Sequence, residues 1–340
     1  MNKMLQAETI NSCIAAESLG DMIAAEYDLG GPVASKLMMT YLNDYYLITA
    51  GNLKYVARVY PGHKFWPINK SHDSGISHRF ELEWLSYLFN AGCPVTYPIQ
   101  RRDGDYLGHI NAPEGVRYYA LFSFAEGKLS IPMSKEQSYI HGATIAQIHL
   151  TSNGYKSPHQ RYSSDLDFLL DQPIQRLREY WGESRAEELQ FLVELGEDLK
   201  EKILLLLGTH DIPDAWHIIG GDFNGLHVFF NEENQPAYFK FDLCSYGWRA
   251  YDLAIFLLTA ILIDAPPEIS SSFLAGYQSV RPLSQSELDS LWPFMLIQQI
   301  WIIGTSTLLV NMFGDSWLND YYDQSLEELN ILLDYYQPQQ

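Results

Sequence analysis

From Ser290 to Gly314 the chain carries no charged side chain, and the run LWPFMLIQQIWIIGTSTLLV lies within it. A stretch of this length has two stable surroundings, the hydrocarbon of a bilayer or the centre of a helical assembly. Pro293, Gln298, Gln299, Gly304 and Asn311 interrupt it, and no basic residues flank it. Both features weigh against a membrane span. The expectation is a buried helix pair inside a large helical domain. Neighbouring segments agree. SKEQSYIHGATIAQIHLTS reads as a helix with small residues on one face, and residues 164 to 207 read as two or more amphipathic helices ending in KILLLL. DLAIFLLTAILI and DQSLEELNILLDYY add further helical segments.

The first part of the chain has a different period. The opening residues predict a helix carrying Ile10, Cys13, Ile14, Leu19 and Ile23 and closing at Gly30 and Gly31. Strand-like segments KLMMTYL, YYLITA and KYVARVY follow, with AGN at 50 to 52 as a hairpin turn between the last two. A helix over HRFELEWLSYLFNAG and two strands, DYLGHI and RYYALFSF, complete an antiparallel α+β unit. The expected division is therefore a sheet-rich domain over 1–125 and a mainly helical one over 126–340, joined near FAEGKLS.

Composition narrows the classes of function. Among 340 residues, 22 are basic and 42 acidic, a net charge of −20. Nucleic acid and anionic membranes need basic surface, so neither is an expected partner, whereas a cationic small molecule is compatible. Cys13, Cys93 and Cys244 are far apart and lack metal-ligand or redox spacing. Together with an N-terminus lacking a cationic segment followed by an apolar one, they lead to an expectation of a reducing, cytoplasmic location.

The chemistry concentrates in HIIGGDFNGLHVFFNEENQPAYFKFDLCSYGWRAYDLAIF, residues 217 to 256. A strand, a tight turn with one aspartate and a second strand precede a helix opening on AYDLA. This segment resembles the core of the aminoglycoside phosphotransferase and choline kinase-like family, whose loop runs H-G-D-x-H-x-x-N. YGWRAYDLAIF is its most specific element, and the likeness extends from about residue 35 to 310. The resemblance implies a bilobal protein-kinase-like fold with a small antiparallel-sheet lobe and a large helical lobe.

The resemblance also implies site residues. Asp222 falls on the catalytic aspartate that accepts or orients the proton of an attacking hydroxyl. Arg58 in KYVARVY falls on the third-strand cation that meets nucleotide phosphates. Its implied partner is Glu81, with Glu83 a neighbour on the same helix. Ser123, Phe124 and Ala125 match the hinge whose backbone would meet an adenine edge. In the first hairpin, Asn43 and Asp44 are the only turn-like residues where a phosphate loop would lie. Asp252 matches a structural aspartate that accepts hydrogen bonds from the loop backbone.

Four positions depart from the pattern. Gly220 and Asn224 stand where the loop has histidines, and His227 stands where it has the magnesium-binding asparagine. Lys240 stands where it has the magnesium-binding aspartate. An ammonium repels a divalent cation, and imidazole is a poor magnesium ligand. The ordinary Mg²⁺ site is therefore expected to be lost. Lys240 could instead lie against phosphates. Lys240 and Asp242 are i and i+2 on an expected strand and so share a face, and Asp242 with Asn224 or His227 could hold a displaced metal. His141 and His149 are expected to be ordinary helix histidines, and His210 a plain loop residue.

Three readings follow. A repurposed, pseudokinase-like protein would bind ATP, another nucleotide or a small ligand in the cleft that the resemblance implies. An active enzyme would phosphorylate a small-molecule hydroxyl. A structural protein would serve as partner to a biosynthetic enzyme.

Overall fold

The computed structural model describes residues 8–62, 74–209 and 214–336. Two compact units divide between Ala125 and Glu126, except that Lys156–Gln160 belongs with the first.

In the first unit, helix α1 (Ala16–Glu26) precedes strands β1 (Val33–Thr40), β2 (Asp44–Ala50) and β3 (Leu53–Val59). Helix α2 (Ser74–Asn90) and strands β4 (Gly108–Ala112) and β5 (Gly115–Ser123) complete it. The strands form one antiparallel sheet in the order β1-β2-β3-β5-β4. Period-2 burial along β2 sends Tyr46, Ile48 and Ala50 into a core shared with Leu19 and Ile23 of α1, Tyr27 just after that helix, and Tyr119 and Leu121 of β5. The β2–β3 turn falls at residues 51 and 52, with Ala50 opposite Leu53.

Two expectations fail here. Helix α1 starts at Ala16, so Ile10, Cys13 and Ile14 precede it rather than forming its apolar stripe. Asp44 is no turn residue. It opens β2, is fully buried and pairs with buried Arg117 at 2.9 Å. Its carboxyl is raised from its ordinary value by burial, against the lowering effect of Arg117.

The second unit contains α3 (Lys135–Ser152), β6 (Ser163–Ser164), α4 (Gln172–Trp181) and α5 (Ala186–Leu207). Short strands β7 (Trp216–Ile219), β8 (Val228–Phe230), β9 (Pro236–Tyr238) and β10 (Ser245–Trp248) follow. Helices α6 (Arg249–Leu262), α7 (Pro267–Val280), α8 (Gln285–Ser306), α9 (Val310–Phe313) and α10 (Leu318–Tyr336) finish it. Ser134 and Gln137 cap α3 reciprocally, and Ser284 and Glu287 do the same for α8.

The small-residue face of α3 brings two backbones together. A Cβ on Gly142 would lie 2.0 Å from the Phe273 carbonyl of α7, and one on Gly276 would lie 2.0 Å from the Tyr139 carbonyl of α3. Any larger residue at either position would push the helices apart. The uncharged run forms a helix pair of unequal length, the long α8 followed by a short 3-10 turn and α9. It packs against α4, α5, α6 and α10, which accounts for its lack of charge. Among the described residues, no helix is long and apolar enough to cross a membrane. Helix α7 was not expected from sequence, and His210 lies outside the described residues.

Candidate active site

The loop between β7 and β8 is built from below. Asp252, in the first turn of α6, accepts the backbone N–H of Gly220 at 2.7 Å and of Gly221 at 2.8 Å. A carboxylate there also faces the positive end of the helix. His149 of α3 donates from Nε2 to Asp252 Oδ2 at 3.0 Å, while its Nδ1 accepts the Tyr277 hydroxyl at 2.9 Å. One turn-pair earlier on α3, His141 donates from Nε2 to the Phe223 carbonyl at 3.3 Å and accepts the Tyr238 hydroxyl on Nδ1 at 2.7 Å. All three side chains are buried.

Burial sets their titration. It pushes His141 down to about 3 and His149 well below its usual value, the latter helped by Arg249 and Arg281. Burial likewise pushes Asp252 up to about 7, against the lowering effect of the two loop N–H groups. Both imidazoles are therefore held neutral, which fits one N–H donor and one acceptor nitrogen on each ring. Sequence reading treated the two histidines as ordinary because their partners lie roughly a hundred residues away. Their eight-residue spacing on a small-faced helix was the only available signal.

The turn itself depends on glycine. Gly221 has φ 76°, and a Cβ there would meet the Leu243 carbonyl at 2.3 Å. Gly220 leaves room for the Phe223 ring, which a Cβ would approach to 2.4 Å. The side chain missing at 220 is thus replaced by a buried phenyl group.

Above the loop, Asp222, Asn224, His227 and Lys240 form one hydrogen-bonded cluster. Asn224 donates its amide to Asp222 Oδ1 at 2.8 Å and accepts the Leu226 N–H on its oxygen at 2.8 Å. The Lys240 ammonium lies 3.0 Å from His227 Nε2 and 3.4 Å from Asp222 Oδ2. With Nε2 accepting from the ammonium, the ring proton of His227 sits on Nδ1, 3.2 Å from Asp222 Oδ2. Asp222 and His227 are each 17% exposed and Lys240 27%, so the cluster reaches solvent.

The strand expected through Lys240 and Asp242 does not form. Strand β9 ends at Tyr238, and Lys240 adopts φ 65°, a left-handed conformation uncommon for a residue with a Cβ. The alternation that would place both side chains on one face is therefore absent. Arg161 fixes the following segment by donating to the carbonyls of Asp242 and Cys244, and Tyr162 does so at Leu243.

Both ends of the Asn224 amide and both nitrogens of His227 are engaged, and an ammonium stands among them. Among the described residues, no three His, Cys, Asp or Glu side chains converge as metal ligands.

In the first unit, Arg58 pairs with Glu81 and donates to the Tyr60 hydroxyl at 2.6 Å, its guanidinium lying between the Tyr60 and Phe122 rings. Arg58 is 3% exposed and Glu81 0%. Glu83 instead meets His159 at 3.1 Å. At the hinge segment, the Ser123 N–H donates to the Tyr97 carbonyl at 2.9 Å and its hydroxyl accepts the Tyr97 N–H at 3.1 Å. Lys54 lies over the Phe124 ring at 5.2 Å, and Phe124 and Ala125 are half-buried.

A small antiparallel sheet with one long helix, followed by a helical unit that carries an Asp-bearing loop anchored by a buried aspartate, defines a protein-kinase-like fold. Residues 38–289 match the phosphotransferase enzyme family, and the chain belongs to that family. It is 32% identical over 326 residues to the uncharacterized protein sll1119 of Synechocystis sp., covering 95% of this chain and 87% of that one. It is 30% identical over 221 residues to a homoserine kinase of Rhizobium rhizogenes, where the match covers 62% of this chain and 63% of the kinase. Among solved structures, a microcompartment-associated aminopropanol kinase superposes with a TM-score of 0.74 at 18% identity, covering 95% of this chain and 98% of that one. An amicoumacin kinase in complex with AMP-PNP, Ca²⁺ and amicoumacin gives 0.71 at 16% identity, covering 92% of each chain. At these identities the two structures bear on the fold.

Proposed function

We propose that this member of the phosphotransferase family binds a nucleotide or another small ligand without carrying out ordinary magnesium–ATP phosphotransfer. The observation that carries this reading is the position of Lys240, whose ammonium lies 3.4 Å from Asp222 Oδ2 and 3.0 Å from His227 Nε2. Like unit charges about 4 Å apart cost about 4 kcal/mol at an effective dielectric of 20, and a divalent ion doubles that. Lys240 puts a positive charge beside Asp222 at the position where the family pattern has a metal-binding carboxylate. The backbone of Phe124 and Ala125 is the hinge portion that would meet an adenine edge, since Ser123 is committed to Tyr97.

A second reading has its own support. Asp222 keeps a part-exposed carboxylate, and proteins named as homoserine and aminopropanol kinases resemble this chain. In that reading the protein is an active phosphotransferase toward a small-molecule hydroxyl, Asp222 takes the hydroxyl proton and Arg58 serves the phosphates. Positioning and charge neutralisation would again carry most of the catalysis.

Thermal unfolding with ATP, in the presence and absence of Mg²⁺ or Mn²⁺, separates the readings. Stabilisation by ATP that is indifferent to metal supports the repurposed protein. A metal-dependent increment overturns it in favour of the enzyme. No response to nucleotide under any condition favours the third possibility, a structural partner of another protein.

A further inference from the structure

One face of the Asp222 loop borders a depression lying wholly within the second unit. It is lined by Ile131, Met133, Leu226, Phe256, Ala260 and Ile263, with further small or polar residues between them. It offers ≈ 20 Å³ of room to water-sized groups, within ≈ 310 Å³ of empty space that includes open solvent. That room exceeds the roughly 10–15 Å³ that admits one water-sized group, and the lining is mostly apolar. Ile131, Leu226 and Ile263 on the rim are each more than a third exposed. None of the lining residues is charged, although the chain as a whole carries −20.

The polar side chains on the lining are already satisfied. Ser130 donates to Gln137 at 2.8 Å, and Thr259 donates to the Ile255 carbonyl of its own helix at 3.0 Å. Asn224 is held at both ends, by Asp222 and by the Leu226 N–H. The depression therefore offers methyl and methylene groups to a visitor rather than hydrogen bonds or charge. Burying an ammonium there would leave it without a partner, which is costly, whereas an alkyl group would gain by leaving water. Asn224 joins this wall to the carboxylate, one hydrogen bond of 2.8 Å away from Asp222.

We propose that the small molecule recognised at the Asp222 loop carries a short, uncharged aliphatic group that seats in this depression, with its hydroxyl end toward Asp222. This rests on the small-ligand reading above and narrows its substrate class. It also replaces the cationic ligand that net charge suggested, because charge at the site differs from charge over the surface.

The test uses the full chain and saturation-transfer NMR with 1-propanol, 1-butanol and 1-pentanol, each compared with the ω-amino alcohol of equal length. Affinity should rise about fourfold per added methylene, the equivalent of about 0.8 kcal/mol, for the neutral series. The amino alcohols should bind at least about tenfold more weakly. Ala260→Leu should abolish 1-pentanol binding, and the rim change Ile263→Asn should weaken it severalfold if the buried change fails to fold. Equal or tighter binding of the amino alcohols would overturn the proposal. So would 1-pentanol binding unaltered in both folded variants. Nucleotide-induced thermal stabilisation measured on the same samples keeps the two ideas apart. If it persists without metal while the alcohols fail, only the aliphatic pocket is lost.

Discussion

Below the loop, Asp252, His149 and His141 are buried and hold Gly220, Gly221 and Phe223 through hydrogen bonds of 2.7 to 3.3 Å. Above the loop, Asp222, His227 and Lys240 are part exposed, and the ammonium keeps the longer distance of 3.4 Å from the carboxylate. The lower layer is neutral imidazole against a carboxylate with backbone donors, a set that satisfies each member in a dry interior. The upper layer is a solvated ion-pair cluster whose geometry a small change could rearrange. The loop's shape is thus fixed from beneath, while its chemistry is decided by two or three side chains on top. This explains how the fold can match a phosphotransferase family while the residue types around Asp222 vary.

The largest effect should separate the layers outright. Asp252→Ala strands two backbone N–H groups and the His149 N–H in the interior, and should cost about 3–5 kcal/mol in urea unfolding. Lys240→Ala, in a part-exposed cluster, should cost about 1 kcal/mol or less. Similar losses at the two positions would remove the distinction between layers.

Acid comes next. The folded value of His141, about 3, lies below its ordinary 6.5. Its stabilising neutrality is therefore complete above about pH 6.5 and drains away as pH falls toward 3, at about 1.4 kcal/mol per unit. His149 shifts in the same direction. Asp252, pushed up from 3.8 to about 7, acts oppositely, its contribution being present below about pH 4 and lost as pH rises through 7. His141→Gln should consequently lose less stability than the native chain between pH 6.5 and 4.5, by roughly 2–3 kcal/mol at the lower value. Urea midpoints across that range would check it, and parallel acid limbs would contradict it.

The smallest effect tests the upper layer's backbone. Lys240→Gly should be more stable than Lys240→Ala by about 1 kcal/mol, because glycine accepts φ 65° without strain. Equal stabilities would mean that the left-handed turn relaxes once the lysine is gone.

How far the sequence could be read depended on the range of the interactions. Hairpin β2–β3, capped helix α3 and the AYDLA start of α6 rest on local signals, and they stand where their residues put them. The division into a sheet-rich and a helical part was legible from period alone. Helix α7 escaped because PEISSSFLAGYQSV has few large apolar residues; its Gly276 serves a close helix contact that only the folded α3 reveals. The strand assumed through Lys240 failed because FKFD alternates correctly while Lys240 turns left-handed within it. Arg161 and Tyr162, about eighty residues earlier, hold the carbonyls that follow. At the site, the sequence indicated which residue types depart from the family pattern. It could not show that Lys240, His227 and Asn224 all converge on Asp222, since that convergence depends on the turn.

The central claim is that Lys240 and His227 stand in place of metal ligands above a loop that keeps its turn, Asp222 and its buried anchor Asp252. The decisive measurement is ATP-induced thermal stabilisation with and without Mn²⁺, comparing the native chain with the Lys240→Asp, His227→Asn double variant. The account predicts no metal-dependent increment for the native chain and a clear one for the variant. A metal-dependent increment in the native chain would contradict it.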